Sequence, residues 1–149
     1  MKNYNKKISI IIRVKNEEKW INSCLRSVFN QSYKNFEVII VNNQSNDNTI
    51  KNIKDFNVKI INIKNFYPGK AINLGIKKST GQYIVCLSGH CIPKDKYWLT
   101  NLISNIQSKN IAGVYGRQEP MSFSKPSDKR DLVLTFGMDK KIQKKDYFF

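Results

Sequence analysis

Apolar and polar positions along the chain follow two rhythms. Short β-branched runs predict buried strands: Ile8-Ser-Ile-Ile-Ile-Arg-Val14, Phe36-Glu-Val-Ile-Ile-Val41, Val58-Lys-Ile-Ile-Asn-Ile63 and Tyr83-Ile-Val-Cys-Leu87. Between them, apolar residues recur three and four apart. Trp20, Ile21, Cys24, Leu25, Val28 and Phe29 make one helix face, and Ile50 and Ile53 a short second one. Ala71, Ile72, Gly75 and Ile76 make a third, and Trp98, Leu99, Leu102, Ile103 and Ile106 a fourth. Asn42 to Asp47 is a turn of helix-capping residue types, while Pro68-Gly69 and Gly81 punctuate later boundaries. Ile111-Ala-Gly-Val-Tyr115 predicts a fifth strand, and Cys86, inside the fourth, is expected in the core. Strands and helices alternating at this spacing need crossover connections. The expected class is therefore α/β, with a mainly parallel sheet and helices on both faces.

The pattern changes after residue 116. Residues 117–149 are polar, with Pro120 and Pro126, and their apolar runs are Leu132-Val-Leu134 and the terminal Tyr147-Phe-Phe149. The reading is a core over 1–116, followed at 117–149 by the start of another region, truncated or partly disordered.

Composition sharpens the picture modestly. The 149 residues carry 26 Lys+Arg against 11 Asp+Glu, a formal charge of +15. Only Arg13, Arg26, Arg117 and Arg130 are arginines, and Ile and Asn are as conspicuous as Lys. That joint excess is what an A+T-rich coding sequence produces, and the charge is spread along the chain. Nucleic-acid binders concentrate charge on one face and favour Arg, so a nucleic-acid partner is not expected. What survives is a field that favours small anions and anionic membrane surfaces. No apolar run approaches the roughly 20 residues of a spanning helix, and no signal-peptide pattern follows the basic start. A cytoplasmic protein is expected, with peripheral contact at the inner face of the cell membrane. Cys24, Cys86 and Cys91 show no metal-binding or disulfide spacing.

In open parallel sheets, ligands bind beyond the carboxyl ends of the strands. Four polar segments fall there: Arg13 to Glu18, Asn42 to Asp47, Phe66 to Asn73, and Ser88 to Pro93. No G-x-G-x-x-G follows the first strand and there is no Walker lysine motif, which argues against dinucleotide and P-loop sites. With one histidine, neither a Ser/His/Asp nor a Cys/His set can be assembled.

Six segments together resemble a known family. Ile8–Glu18 with Cys24-Leu-Arg-Ser27, Gln31-Ser-Tyr33, Phe36–Thr49, Gly69–Gly75, Gly81–Pro93 and Trp98-Leu99 resemble the nucleotide-sugar half of inverting family-2 glycosyltransferases. The resemblance covers residues 7–116 and implies a Rossmann-like GT-A fold with its acceptor half incomplete. Arg-Val-Lys-Asn-Glu-Glu followed by Leu-Ser-Gly-His resembles a bacterial surface-polysaccharide branch that includes rhamnosyltransferase-like proteins.

The resemblance implies transfer of a sugar from a nucleoside diphosphate sugar to a glycan or lipid-linked acceptor. By position, Arg13, Lys15, Asn16 and Glu17 line the nucleoside pocket. Asn42 and Asn43 stand where the family usually has aspartates that grip base and ribose, and an amide accepts there without charge assistance. Asp47 matches the family, with a local turn role as the bottom-up reading. Lys70 stands where the family often has Arg near the diphosphate, and a solvated helix-start Lys is the equal alternative. The family's metal motif, D-x-D, reads Ser88-Gly89-His90. His90 is the candidate ligand for Mn²⁺ or Mg²⁺; the alternatives are direct donation to the diphosphate, with Lys70 or Arg117 helping, or a degenerate site. Arg117 and Gln118 are further candidates for donor contact. No catalytic base is nominated, because none of the downstream acidic residues sits in a family base motif. A non-catalytic or truncated nucleotide-binding relative is the alternative to a transferase.

Overall fold

The computed structural model describes residues 5–65, 67–106 and 111–142. Strand β1 (Ile8–Val14) is followed by helix α1 (Ile21–Phe29), β2 (Phe36–Asn42), α2 (Thr49–Ile53), β3 (Lys59–Asn62), α3 (Pro68–Lys77), β4 (Tyr83–Ser88) and α4 (Trp98–Ile106). A further helix, α5, spans Pro126–Phe136. The strands form one four-stranded sheet in the order β3-β2-β1-β4. Every pairing is parallel, with Ile11 beside both Ile39 and Cys86.

The central strands explain the continuous apolar runs. β1 lies between β2 and β4 and is covered on both faces, so Ile8, Ile10, Ile11 and Ile12 are all buried. One face of the sheet (Ile8, Ile10, Ile12, Val38, Ile40) packs against α1, α2 and α4 through Ile21, Cys24, Leu25, Val28, Ile53, Leu99 and Ile103. The other face (Ile11, Ile39, Val41) packs against Ala71 and Leu74 of α3. α3 lies close to the sheet because of Gly75, where a Cβ would fall 2.4 Å from Ile11 Cγ2. The sequence reading of an α/β fold with a parallel sheet and two helical layers therefore holds.

Two readings are corrected. Residues 111–115 form no strand: they are irregular and mostly exposed, and Gly113 has no atoms near its Cβ position. A short β-branched run becomes a strand only where a ladder partner exists. Cys86 is exposed rather than core. It alternates with buried-side positions on β4, an outer strand, and it points to the face that α3 covers farther along the sheet. Tyr147 to Phe149 lie outside the described residues. The chain divides into two compact units, residues 1–111 and residues 112–149. The second contains α5, whose Val133 and Leu134 are exposed.

Candidate functional site

The carboxyl ends of β1, β2 and β4 lie side by side, and the loops that follow them are tied together by hydrogen bonds. Arg13 and Ser88 are direct neighbours in the β1–β4 register. The Arg13 guanidinium donates to Ser88 Oγ at 3.3 Å, and Gly89 N–H donates to Arg13 O at 3.0 Å.

The loops after β1 and β2 form one latch. Asn16 takes a left-handed conformation (φ 54°) and Gln44 does the same (φ 48°), a geometry that Asn tolerates better than most residues. Asn16 N–H donates to Ser45 Oγ, and Asn46 N–H donates back to Asn16 Oδ1. Glu17 N–H donates to Thr49 Oγ1 at 2.6 Å, and Thr49 is fully buried. Asp47 accepts from Glu18 N–H with one oxygen and from Thr49 N–H with the other. Burial pushes the Asp47 carboxyl up, but these hydrogen bonds outweigh it and hold the group below its usual range. Asp47 is thus a turn-forming residue.

The two asparagines after β2 are not equivalent. Asn42 is buried; its amide nitrogen donates to Asn62 Oδ1 at 2.8 Å and its oxygen accepts from Ser45 N–H at 3.1 Å. Its side chain is spent on shaping the loop. Asn43 is half-buried, and its backbone N–H donates to Val14 O. Lys15 Nζ donates to Gln44 O at 3.3 Å.

At the β4 end, His90 Nδ1 lies 2.8 Å from Glu17 Oε1. The Glu17 side chain is 15% exposed and that of His90 58%. Sequence reasoning placed both residues at the site but missed their contact, which spans 73 residues. Gly89 makes it fit: a Cβ there would fall 3.0 Å from both Glu17 Cγ and Val14 Cγ1. Cys24, under this loop, has its thiol pushed up to about 12 by burial, with nearby Cys91 and Glu17 adding to the effect. It is an inert core residue.

Lys70 is exposed in the first turn of α3, with no acidic residue in that turn. A cation at a helix N-terminus opposes the macrodipole, so Lys70 is not explained by helix stability. Arg117 belongs to the second unit, where its guanidinium pairs with Glu119 and approaches Met138 Sδ at 2.8 Å.

Among the described residues, no group of three or more His, Cys, Asp or Glu side chains converges to form an ion cage. His90 has its Nδ1 held by a carboxylate, the usual support for a ligating imidazole. It fits the role of a single protein ligand, with donor oxygens needed to complete any coordination sphere.

A parallel sheet with polar loops latched at its carboxyl edge is the general architecture of α/β ligand-binding domains, and comparison with known proteins identifies the family. The chain belongs to glycosyl transferase family 2, whose pattern it matches over residues 9–148. It is similar to WfaP of Escherichia coli, a UDP-Glc:alpha-D-GlcNAc-diphosphoundecaprenol beta-1,3-glucosyltransferase, with 39% identity over 66% of this chain and 39% of WfaP. Its fold is similar to S. aureus TarS 1-349 in complex with UDP-GlcNAc (TM-score 0.62, 27% identity, 78% of this chain, 37% of that one). It is also similar to the mannosyltransferase PcManGT from Pyrobaculum calidifontis in complex with GDP-Man and Mn²⁺ (TM-score 0.71, 18% identity, 88% of this chain, 39% of that one). The chain thus spans about two fifths of the length of each of these proteins.

Proposed function

We propose that this chain is the donor-binding part of an inverting glycosyltransferase that moves a sugar from a nucleoside diphosphate sugar to an acceptor hydroxyl in glycan synthesis. The observation that carries this reading is the site at the carboxyl edge, where Arg13, Ser88, Glu17 and His90 meet beside the latched loops. The UDP-Glc in the name of WfaP and the UDP-GlcNAc bound to TarS support a uridine nucleotide donor, and the diphosphoundecaprenol in the name of WfaP supports a lipid-linked acceptor. They also support a transferase over a non-catalytic relative.

In this reading residues 1–116 bind the donor and 117–149 begin the acceptor side. Lys15, Asn16 and Asn43 face the nucleoside, with Asn42 shaping the loop beneath it. Arg13 and Lys70 supply positive charge to the diphosphate, and Ser88 and Gly89 hold the β4 loop in place. His90 would hold a divalent cation (Mn²⁺ or Mg²⁺), which when bound neutralises charge on the departing diphosphate. Guanidinium and ammonium groups held near that charge would stabilise it further. No helix among the described residues is long and apolar enough to cross a membrane. The +15 charge supports peripheral association with an anionic inner membrane face from the cytoplasm.

Titration calorimetry with UDP- and dTDP-sugars, with and without Mn²⁺, tests the reading. Saturable binding is expected, and R13A should weaken it about tenfold or more, as loss of a hydrogen bond from a charged group does. No heat at millimolar nucleotide would refute the donor site.

A further inference from the structure

The contact between Glu17 and His90 has a chemical consequence. A carboxylate oxygen only accepts hydrogen bonds, so at 2.8 Å His90 Nδ1 is the donor. In the neutral ring the proton therefore sits on Nδ1, and Nε2 carries the lone pair. Nε2 has no partner among the described residues, on a side chain that is 58% exposed.

Glu17 is built to hold this arrangement. Its N–H is fixed to the buried Thr49 hydroxyl, and its C=O accepts from Trp20 and Ile21 N–H at the entry to α1. Its side chain passes against Gly89, where any larger residue would crowd it. The loop carrying His90 is pinned to β1 through Gly89 N–H and Arg13 O, and is turned by Cys91 N–H donating to Ser88 O.

We propose that Glu17 is a positioning residue that locks His90 in the Nδ1–H tautomer and leaves Nε2 bare to ligate a cation held at the diphosphate end of the donor. The proposal rests on the donor-site reading above. The role is one of orientation.

His90 is the only histidine in the chain, so its ring can be read directly. The 149-residue chain, labelled with ¹⁵N-histidine, is examined by long-range proton–nitrogen correlation at pH 8, above the range in which imidazoles ordinarily titrate. Without nucleotide, the wild type should show a protonated Nδ1 and a bare Nε2. E17A should mix the tautomers and bring the two nitrogen signals together. G89A should do the same without removing a polar group, by displacing Glu17. E17Q, whose amide oxygen still accepts, should restore the wild-type pattern. The backbone amide spectrum confirms that each variant is folded. Adding UDP and then Mg²⁺ should move the wild-type Nε2 signal. In E17A the Mg²⁺ needed for half the effect should rise about tenfold or more, the usual loss when the partner of a ligating histidine is removed.

A wild-type ring with bare Nδ1, or ring signals and Mg²⁺ response alike in wild type and E17A, would overturn Glu17's role and leave the donor site standing. A locked tautomer whose ring is unmoved by millimolar UDP and Mg²⁺ would overturn the donor-site reading and the proposed role with it.

Discussion

At the scale of single residues, adjacent positions of identical type do different work. Asn42 uses both ends of its amide inside the loop, whereas Asn43 is half-buried beside it. N42D would set a carboxylate oxygen against Asn62 Oδ1 in place of a donor. It should cost about 1–3 kcal/mol of stability in urea unfolding, the range for an unsatisfied buried polar group. N43D should leave the midpoint unchanged and strengthen UDP binding a few-fold, since charge-assisted hydrogen bonds are roughly twice as strong as neutral ones. Away from the site, Glu37 accepts from Ser9 Oγ, Thr80 N–H and Thr80 Oγ1, near Lys7. Burial alone would raise its pKa from 4.5, but these partners lower it to about 2. A depressed folded-state value contributes stability above pH 4.5, which is lost as pH falls toward 2. Acid unfolding followed by circular dichroism should show this loss in the wild type and a flatter limb in E37Q, a difference of about 1 kcal/mol for a carboxylate partly open to solvent.

At the scale of elements, one buried amide joins two helices on the same face of the sheet. Gln31, fully buried after α1, donates to Ser27 O and to Asp95 O, and accepts from Leu99 N–H in the first turn of α4. Q31A takes the side-chain partner from one backbone N–H and two carbonyls at once. It should lower stability by about 2–4 kcal/mol, seen as a shifted urea midpoint, with α4 losing amide protection before the sheet. The elements themselves were legible, because apolar residues at period 3.6 and β-branched runs report burial directly. Lone side-chain bridges were not. Gln31 and Leu99 are 68 residues apart, and Glu17 and His90 are 73 apart. No local rhythm encodes which polar residues the topology will bring together. The strand expected at 111–115 failed for a related reason: a β-branched run shows the capacity to pair but not whether a partner edge is present. At the candidate site, the strand ends pointed to Arg13, Glu17, Ser88 and His90, whose pairings the fold supplies, whereas the spending of Asn42 on the loop was not legible.

At the scale of the whole molecule, the sheet is covered unevenly. Both faces are sealed over β1 and β2, while on β4 Ile84 is 37% exposed and Cys86 is open to solvent. A thiol reagent at pH 8 should modify Cys86 first and the half-buried Cys91 more slowly, leaving Cys24 untouched until the chain unfolds. Early modification of Cys24 would contradict the packing of α1. The same outer strand has a further consequence. Tyr83-Ile-Val-Cys-Leu-Ser88 carries no charge and no proline, and among the described residues its hydrogen-bonding groups are paired by β1 on one side only. Such a strand is a template for adding another of its kind, and its sequence has none of the gatekeepers that blunt this tendency. Concentrated solutions of the 149-residue chain should therefore self-associate through β4, with light scattering that rises with concentration and falls on I84K. The strand that carries Ser88 at its end is thus also a surface open to a second strand.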